Sequence, residues 1–312
     1  MGVPRFVTGP VRVRVPATSA NLGPGFDSFG LALCLYDEVR ARVSGTGVRV
    51  IVRGEGAGEL ATDESHLVVR AMLATFERLG ATRPAGLELA CVNAIPQARG
   101  LGSSSAAIVA GILAARALVE GGAAMLDDAG VLELASELEG HPDNVAPCLL
   151  GGFTIAWLAP GARAVRLAPA DRVHPIVLVP TERGLTAQAR AALPATVPHA
   201  DAARNAGRAA LFVHALTADP GLLLPATEDW LHQRYRASAA PATYALVSDL
   251  RAAGIAAVVS GAGPSVLVFG PAEIPITESW RLLDVGVDAQ GAVVEVDSQH
   301  AERGPVAAGR AS

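Results

Sequence analysis

The segment "PQARGLGSSSA" places glycines and serines directly before an alanine-rich stretch that favours a helix. The first turn of a helix leaves about four backbone N–H groups without intrahelical partners and carries partial positive charge. Gly100 and Gly102 would let a phosphate approach those amides, because they have no side chain. The serines that follow could cap the helix, bind phosphate oxygens or place a hydroxyl on magnesium. The segment therefore predicts a phosphate-binding loop, with an ordinary capped helix as the alternative.

The chain contains no lysine, so all 25 of its basic residues are arginines. The Walker A motif requires a lysine after its second glycine, and it is therefore excluded. A nucleotide site in this chain has to work through backbone amides, hydroxyl groups, magnesium and arginine. Arg99 is the cation nearest to the two glycines, and it is either a phosphate ligand or a solvated loop charge.

The segment "ELEGHPDN" groups five polar residues at the expected end of a helix: Glu137, Glu139, His141, Asp143 and Asn144. Carboxylate oxygens suit magnesium, whereas a catalytic zinc site needs more histidine or cysteine ligands at closer spacing. Beside a phosphate loop, Glu139 becomes a candidate to share magnesium with a loop serine. The alternative is a solvated helix end followed by a proline.

Two further segments carry candidate ligand contacts. In "SGAGPSVLVF", Gly261 and Gly263 precede a strand and not a helix, so the segment is no dinucleotide-binding fingerprint. It predicts a tight turn whose backbone approaches a ligand or the phosphate loop, with a purely structural hairpin as the alternative. Arg190 and Arg236 each lie on an otherwise apolar helix. Each alone is interpreted as a surface charge, but together they would select an amino-acid or hydroxy-acid substrate.

The elements that position these residues alternate between strands and helices. Hydrophobic periodicity predicts first-half strands at 11–15, 38–43, 48–53, 86–92 and 152–158, with the second and third joined as a hairpin. It predicts helices at 65–80, 104–120 and 127–140, and irregular structure around 21–27. The second half is expected to contain strands at 174–180, 255–260 and 266–270, and helices near 187–192, 202–217 and 240–253. This mixture predicts an α+β protein with a domain boundary near residue 160.

Bulk composition narrows the class of protein. A chain of 312 residues with 51% hydrophobic residues can bury one or two real cores. A net charge of -5 with dispersed arginines argues against nucleic acid or an anionic membrane as the main partner. The three cysteines, Cys34, Cys91 and Cys148, predict neither a disulfide framework nor a zinc cluster. With no secretory signal and no apolar run long enough to span a bilayer, the expected location is the cytoplasm.

Three blocks, "PATSANLGPGFDSFGLAL", "PQARGLGSSSAA" and "SGAGPSVLVF", resemble in order and spacing the GHMP kinase superfamily. Within it, "SANLGPGFD" and "EGHPDNVAPCLLGGF" are similar to the homoserine kinases, which phosphorylate the hydroxyl of L-homoserine in threonine biosynthesis. The resemblance implies an α+β fold of two domains. Residues 1–160 would resemble ribosomal protein S5 domain 2 and hold ATP, and 161–300 would be ferredoxin-like, with the site between them. Residues 301–312 are expected to form a disordered tail.

The same resemblance implies which residues bind ATP, Mg²⁺ and substrate. Ser104 and Glu139 would share Mg²⁺ and act with Asn144 in catalysis. The implied ATP contacts are Pro96, Gln97, Ala98, Arg99, Gly100, Leu101, Gly102, Ser103, Ser104, Ser105 and Ala106. The implied substrate contacts are Asn21, Asp27, His141, Asp143, Asn144, Arg190, Arg236 and Gly263. Asp27 would pair with the ammonium group of homoserine and the two arginines with its carboxylate, while Asn144 or Asp143 would orient the hydroxyl.

Asn144 has a mechanistic consequence, because sister enzymes such as mevalonate kinase carry an aspartate there that can act as a base. An asparagine cannot accept the proton, so catalysis is expected to rest on alignment and on charge neutralisation by Mg²⁺ and loop amides. Some relatives also have a lysine shortly before the phosphate loop, where this chain has Asn93 and Ala94. The alternatives are another GHMP kinase, acting on mevalonate, a sugar or a cytidyl-erythritol, and a nucleotide-binding regulator without transfer. A homodimer is expected, since such enzymes are often dimers.

Overall fold

The computed structural model describes residues 4–184, 186–270, 274 and 277–296. The strands are β1 Val11–Ala20, β2 Phe29–Val43, β3 Gly47–Gly54, β4 Gly86–Asn93, β5 Phe153–Leu158, β6 Ala162–Leu167, β7 Pro175–Pro180, β8 Ala256–Val259, β9 Val266–Phe269, β10 Trp280–Asp284 and β11 Val293–Val296. The helices are α1 Leu67–Arg78, α2 Ser103–Leu118, α3 Gly122–Met125, α4 Asp128–Glu139, α5 Val145–Leu150, α6 Thr186–Ala191, α7 His199–Thr217, α8 Leu223–Ala226, α9 Gln233–Arg236 and α10 Pro241–Ala252, with a 3₁₀ turn at Pro220–Leu222. The α+β class predicted from the sequence is confirmed.

The larger sheet has seven strands within the described residues and is organised around β2. Its main path runs β11-β1-β2-β4-β3, while β5 pairs with the start of β2, and β6 pairs with β5. The 15 residues of β2 make this possible, because one half pairs with β4 and the other with β5. The single strand β2 therefore connects the β5–β6 pair to the β4–β3 pair.

The hairpin predicted between 38–43 and 48–53 is wrong, because β4 lies between β2 and β3 and pairs with both. The connection 44–46 crosses the start of β4, where the N–H of Ser44 donates to the carbonyl of Gly86. Three extended residues reach about 10 Å, which is enough to pass one strand. The apolar β4 takes the inner position, whereas β3 exposes Arg49 and Arg53 at the sheet edge, as edge strands commonly do.

The helices that cover this sheet are held by α2. Most of α2 is buried and it is apolar on all sides, which is the pattern of a helix inside a core. It packs against α1, and a Cβ at Gly111 would overlap the carbonyl of Val68, so glycine sets the close approach of the two helices. The helices predicted at 65–80, 104–120 and 127–140 are confirmed as α1, α2 and α4 to within two residues.

The smaller sheet has four antiparallel strands in the order β10-β7-β9-β8 within the described residues. Phe212 on α7 contacts Phe29 and Phe153 of the larger sheet and Phe269 of the smaller one, with ring centroids 5.7, 5.8 and 6.1 Å apart. This aromatic cluster joins the two sheets into one hydrophobic core. The two sheets therefore hold α7 between them through Phe212.

The proposed domain boundary stays a prediction, and two pairings bear on where it would lie. β6, which follows residue 160, pairs with β5, and β11 near the end of the described chain pairs with β1. The larger sheet thus includes strands from both sides of the boundary. The expected tail at 301–312 lies outside the described residues. Within the described residues, no helix is long and apolar enough to cross a membrane.

Candidate active site

A cavity of about 430 Å³ opens at the end of β1, the end of α4 and the beginning of α2, beside the turn between β8 and β9. Most residues predicted for ATP, metal or substrate line it: Asn21, Asp27, Ala98, Arg99, Gly100, Leu101, Gly102, Ser103, Ser104, Glu139, His141, Asp143, Asn144, Arg190 and Arg236. Gly184, Gly261 and Ala262 complete the lining and were not predicted as contacts. Five of the predicted contacts do not line this cavity: Pro96, Gln97, Ser105, Ala106 and Gly263. Two of the five, Gln97 and Ala106, line a second, adjoining cavity that is described below.

The phosphate loop begins at two anchored amides and ends at Gly102. The buried carboxylate of Asp37 accepts hydrogen bonds from the N–H groups of Ala94 and Ile95, at 2.7 and 2.9 Å. Burial raises the pKa of Asp37 to about 6, while those two hydrogen bonds act in the opposite direction. Ala98 within the loop has φ 55, a conformation that non-glycine residues adopt at a cost. The loop is therefore fixed in an unusual backbone shape by its surroundings.

Gly102 is the N-cap of α2, and its φ of 69 and ψ of 25 are left-handed. No side chain caps the helix, so capping, one of the three roles that the sequence left open for the serines, is not the one they take. A Cβ at Gly102 would overlap the Oγ1 of Thr18, and glycine is the residue that both the backbone and the space require. The amides of the first turn are left without a capping side chain, as an anion site needs.

The serines after Gly102 bind a carboxylate instead. Ser104 Oγ donates to Glu139 Oε1 at 2.6 Å, and Ser105 Oγ donates to the same oxygen at 2.9 Å. One carboxylate with hydroxyl oxygens is a hard donor set that fits Mg²⁺, which commonly takes its remaining ligands from phosphates and water. Within the described residues, no group of three or more histidine, cysteine or acidic side chains is arranged so that it could hold a metal ion.

Thr18 is a contact that the sequence reasoning missed. Its side chain is fully buried, and its Oγ1 donates to Asn144 Oδ1 at 2.8 Å. Its backbone N–H donates to the carbonyl of Leu101 at 3.1 Å, so it also holds the phosphate loop. The signal was present, because Thr18 stands inside the "PATSAN" block that carries the resemblance.

Three backbone carbonyls hold the side chain of Arg99 in place. Its guanidinium nitrogens donate to the carbonyls of Pro180, Gln97 and Thr181 at 3.0, 2.9 and 2.8 Å. Arg99 therefore ties the phosphate loop to the end of β7 and is not a free solvated charge. Its contact with phosphate stays a prediction, which these three bonds do not favour.

The turn between β8 and β9 packs against the phosphate loop, as the sequence predicted. Ser260 Oγ lies 2.7 Å from the carbonyl of Gly100 and 2.8 Å from the Oγ of Ser19. On the other side, Asn21 Nδ2 donates to the carbonyl of Gly261 at 2.7 Å. The turn thus connects the phosphate loop with the loop that follows β1.

The loop after β1 carries three non-glycine residues with positive φ, Asn21 at 68, Leu22 at 49 and Asp27 at 55. Asn21 Oδ1 accepts the N–H of Asp27 at 2.9 Å, which stabilises this shape. Asp27 in turn forms a bidentate ion pair with Arg190, with both N–O distances at 3.0 Å. The carboxylate raises the pKa of Arg190 through this hydrogen bond, although burial partly opposes it.

Arg236 differs from Arg190, because it is buried and within the described residues it forms no ion pair with a carboxylate. Its Nε donates to the carbonyl of Ala189 at 3.2 Å, and its guanidinium lies 5.2 Å from the centre of the Phe26 ring. Burial, followed by the charge of Arg190, lowers the pKa of Arg236. An unpaired guanidinium in a buried position at a cavity wall is costly, and an anionic ligand would remove that cost.

His141 and Asp143 complete the wall beside Asn144. His141 Nδ1 lies 2.7 Å from Asp143 Oδ1, and this hydrogen bond raises the pKa of His141 more than burial lowers it. Asp143 is almost fully buried. The carboxylate of Asp143 thus stabilises the protonated form of the imidazole, and because a carboxylate can only accept, Nδ1 is the donor in this hydrogen bond.

A second cavity of about 360 Å³ adjoins the first and shares Ala98, Ser103 and Ser104 with it. Its lining is largely apolar and includes parts of α1 and α2. His66 is one of its polar lining residues; its Nδ1 accepts the N–H of Val68, and its buried Nε2 has no partner among the described residues. The two cavities together offer an apolar compartment next to a polar one.

Comparison with known proteins agrees with this arrangement. The family model described as GHMP kinases N terminal domain matches residues 66–152, from α1 to the start of β5. The chain is 57% identical to a homoserine kinase of Streptomyces coelicolor over 94% of this chain and 97% of that protein. It is 56% identical to a homoserine kinase of Streptomyces avermitilis, over 94% and 98%. The chain belongs to the homoserine kinase family of GHMP kinases.

Solved structures of the GHMP kinases share this fold. The crystal structure of homoserine kinase from Cytophaga hutchinsonii has a TM-score of 0.77 and 27% identity, and covers 93% of this chain and 99% of that one. Mevalonate diphosphate decarboxylase from Staphylococcus aureus, at 15% identity and a TM-score of 0.65, shares the fold alone. The predicted GHMP kinase fold is thereby confirmed. The ligand roles of the individual residues, a homodimer and a cytoplasmic location stay predictions.

Proposed function

We propose that the protein transfers the γ-phosphoryl group of ATP to the hydroxyl of L-homoserine, as the names of its relatives in the homoserine kinase family describe for them. One observation carries the choice of an amino-acid substrate. Arg236 is a buried guanidinium without a carboxylate partner among the described residues, and it faces the cavity that also holds Ser104 and Glu139. A carboxylate of the substrate would supply the missing charge.

Recognition of the ammonium group falls to Asp27. In the absence of a ligand, Asp27 pairs with Arg190. A zwitterion placed between them can exchange this single ion pair for two, with its ammonium on Asp27 and its carboxylate shared by Arg190 and Arg236. Mevalonate lacks the ammonium group and galactose lacks both charges, so neither can make the exchange. Galactose would leave the buried guanidinium of Arg236 without a partner, which disfavours it by roughly a hundredfold or more, whereas mevalonate would leave only the part-exposed Asp27 without an ammonium partner.

The phosphates of ATP are proposed to lie at the start of α2, where first-turn amides have no capping side chain. Ser104 and Glu139 would hold Mg²⁺, with Ser105 as a further hydroxyl on the same carboxylate. The ion would neutralise charge on the phosphates as the transfer proceeds. The neighbouring apolar cavity has the character of a nucleoside site, and the unpartnered Nε2 of His66 is a donor available to it.

Asn144 is proposed to orient the attacking hydroxyl. Thr18 donates to its Oδ1, so its Nδ2 is the group left to face a ligand, and it would donate to the hydroxyl oxygen. An amide cannot take up the proton, so Asn144 does not act as a base. The proton then leaves with the transferred phosphoryl group, and the residues contribute alignment.

The test is ADP release, measured by a coupled assay with ATP and Mg²⁺, in the presence of homoserine, mevalonate, galactose or no acceptor. We expect homoserine-dependent release, with formation of O-phosphohomoserine checked by mass spectrometry. Release with mevalonate or galactose instead would assign the protein to another GHMP kinase activity. ATP binding without release in any of the four reactions would favour a nucleotide-binding regulator.

A further inference from the structure

His232 lies beside the cavity without lining it, directly before α9. Its side chain is fully buried and stacks on Phe26, with ring centroids 5.1 Å apart and an interplanar angle of 24°. Its Nε2 lies 2.9 Å from the carbonyl oxygen of Gly23, and its Nδ1 lies 3.3 Å from Nη1 of Arg236. The imidazole therefore joins the loop after β1 to the buried guanidinium.

The two partners determine which nitrogen of His232 carries hydrogen. The carbonyl of Gly23 can only accept, so Nε2 has to be protonated, and the guanidinium of Arg236 can only donate, so Nδ1 has to offer its lone pair. Burial lowers the pKa of His232, and the charge of Arg236 acts in the same direction. Asp229, whose Oδ1 lies 3.8 Å from Nε2, opposes this shift, but the net effect keeps the ring neutral.

The remaining contacts of Arg236 leave one side of its guanidinium available. Nε donates to the carbonyl of Ala189 at 3.2 Å, and Nη1 also lies 3.4 Å from the carbonyl of Gly261. Nη2 has no hydrogen bond among the described residues. The acceptors around Nε and Nη1 thus hold the plane of the group, and His232 is the one side chain among them in the described part of the chain.

We propose that His232 is a positioning residue, a neutral imidazole whose Nδ1 holds the guanidinium of Arg236 in the orientation that binds the carboxylate of the substrate. The inference rests on the proposed function, because it assumes that Arg236 binds that carboxylate. Without the acceptor at Nδ1, Nη1 keeps only the longer contact with Gly261, and the guanidinium can turn away from the cavity. His232 would therefore act on substrate affinity and not on the transfer step.

Two substitutions of His232 separate its two hydrogen bonds. His232→Gln can still donate near the Nε2 position to Gly23 but offers no acceptor near Nδ1. The shorter amide of His232→Asn places an oxygen near Nδ1 and loses the donor to Gly23. A hydrogen bond to a charged group is worth enough to change affinity by about tenfold or more. We expect His232→Gln to raise KM for homoserine about tenfold with kcat within about threefold, and His232→Asn to stay within about threefold in both.

A double-mutant cycle with Arg236→Ala tests whether His232 acts through Arg236. In the Arg236→Ala background we expect His232→Gln to change KM for homoserine by less than about twofold, since the group it positions is gone. A second rise of about tenfold would overturn the proposal, as would equal KM values for His232→Gln and His232→Asn in the otherwise unchanged enzyme.

The unsubstituted enzyme provides a test that does not depend on the folding of any variant. Nitrogen NMR of protein labelled in the imidazole rings should show, at neutral pH, a neutral histidine with hydrogen on Nε2 that is assigned to His232 by its proximity to the Phe26 ring, because the Nδ1 of His66 also accepts a hydrogen bond. A charged ring, or hydrogen on Nδ1, would refute the proposal. The proposed function fails separately, because in that case the unsubstituted enzyme would release no ADP with homoserine while this tautomer could still be present.

Discussion

Removal of the Thr18 hydroxyl tests the proposed role of Asn144 most directly. Thr18→Val keeps the branched shape of the side chain and deletes the donor that lies 2.8 Å from Asn144 Oδ1. Thr18 is fully buried, so water cannot replace the lost donor without rearrangement. The amide of Asn144 is then free to turn, and its oxygen can face the substrate hydroxyl where its Nδ2 should be.

The size of the effect follows from the unpaired acceptor. A buried acceptor that loses its partner costs about 1–3 kcal/mol, which corresponds to about 5- to 100-fold in a rate. We expect this loss in kcat, because the orientation of the amide matters when the hydroxyl attacks. KM for ATP should change by less than about threefold, since a valine methyl would take the place of the Oγ1 of Thr18 beside Gly102 with a similar shape.

The measurement is steady-state ADP release with homoserine, together with thermal unfolding of each variant. Thr18→Ser is the matched control, because it keeps a hydroxyl at the same position, and we expect it to retain kcat to within about threefold. Equal kcat values for the valine and serine variants would contradict the role given to this hydrogen bond. So would a Thr18→Val enzyme that keeps full kcat while its unfolding temperature falls, since the bond would then be structural only.

Three other predictions concern the metal, the pH dependence and the substrate. Glu139→Gln and Ser104→Ala should raise the Mg²⁺ concentration needed for half-maximal activity about tenfold, and chelation with EDTA should abolish ADP release; unchanged Mg²⁺ titrations would argue against this metal site. The hydrogen bond with Asp143 raises the pKa of His141 above 6.5, so the pair stabilises the fold below pH 6.5, and this contribution is lost as pH rises through the higher folded pKa. The free energy of unfolding in urea, measured against pH, should show this decrease. Asp143→Asn should flatten the pH dependence. Arg236→Lys should raise KM for homoserine at least about tenfold and leave KM for ATP unchanged, because an ammonium group cannot reproduce the bidentate fork.

The predictability of the fold differed between local and distant interactions. Helices such as α1 followed from apolar spacing, because Val68, Met72 and Phe76 lie on one buried face. The pairing of β2 did not, since a short loop of glycine and serine favours a hairpin locally. The partner strand β4 begins 43 residues after β2 ends. Its pairing depends on which strand has the most apolar surface to bury.

The candidate site shows the same division. Residues within recognisable motifs, such as Ser104 and Glu139, could be proposed from their types and the order of the blocks, although 35 positions separate these two. The hydrogen bonds of Thr18 to Asn144 and of His232 to Arg236 could not be predicted, even though Thr18 stands in the first block, because the first joins residues distant in sequence and the second joins a residue outside α9 to one within it. Nothing in a threonine or a histidine in itself distinguishes a buried positioning role from an ordinary core position.

The distribution of cations in the site explains how a chain without lysine can bind a triphosphate. Arg190 and Arg236 lie at the end of the cavity proposed for the substrate. Arg190 pairs with Asp27, whereas Arg236 has no carboxylate partner among the described residues. Arg99 is the arginine of the phosphate loop, and three of its five guanidinium hydrogens bond backbone carbonyls, which fix the side chain and leave its charge in place. Among the described lining residues, the phosphate end thus has one arginine held by backbone contacts and one carboxylate, Glu139. These two opposite charges offset each other, so we expect the first-turn amides and a divalent cation to neutralise most of the triphosphate charge. In a chain without lysine, we therefore expect the Mg²⁺ complex of ATP to bind more tightly than free ATP.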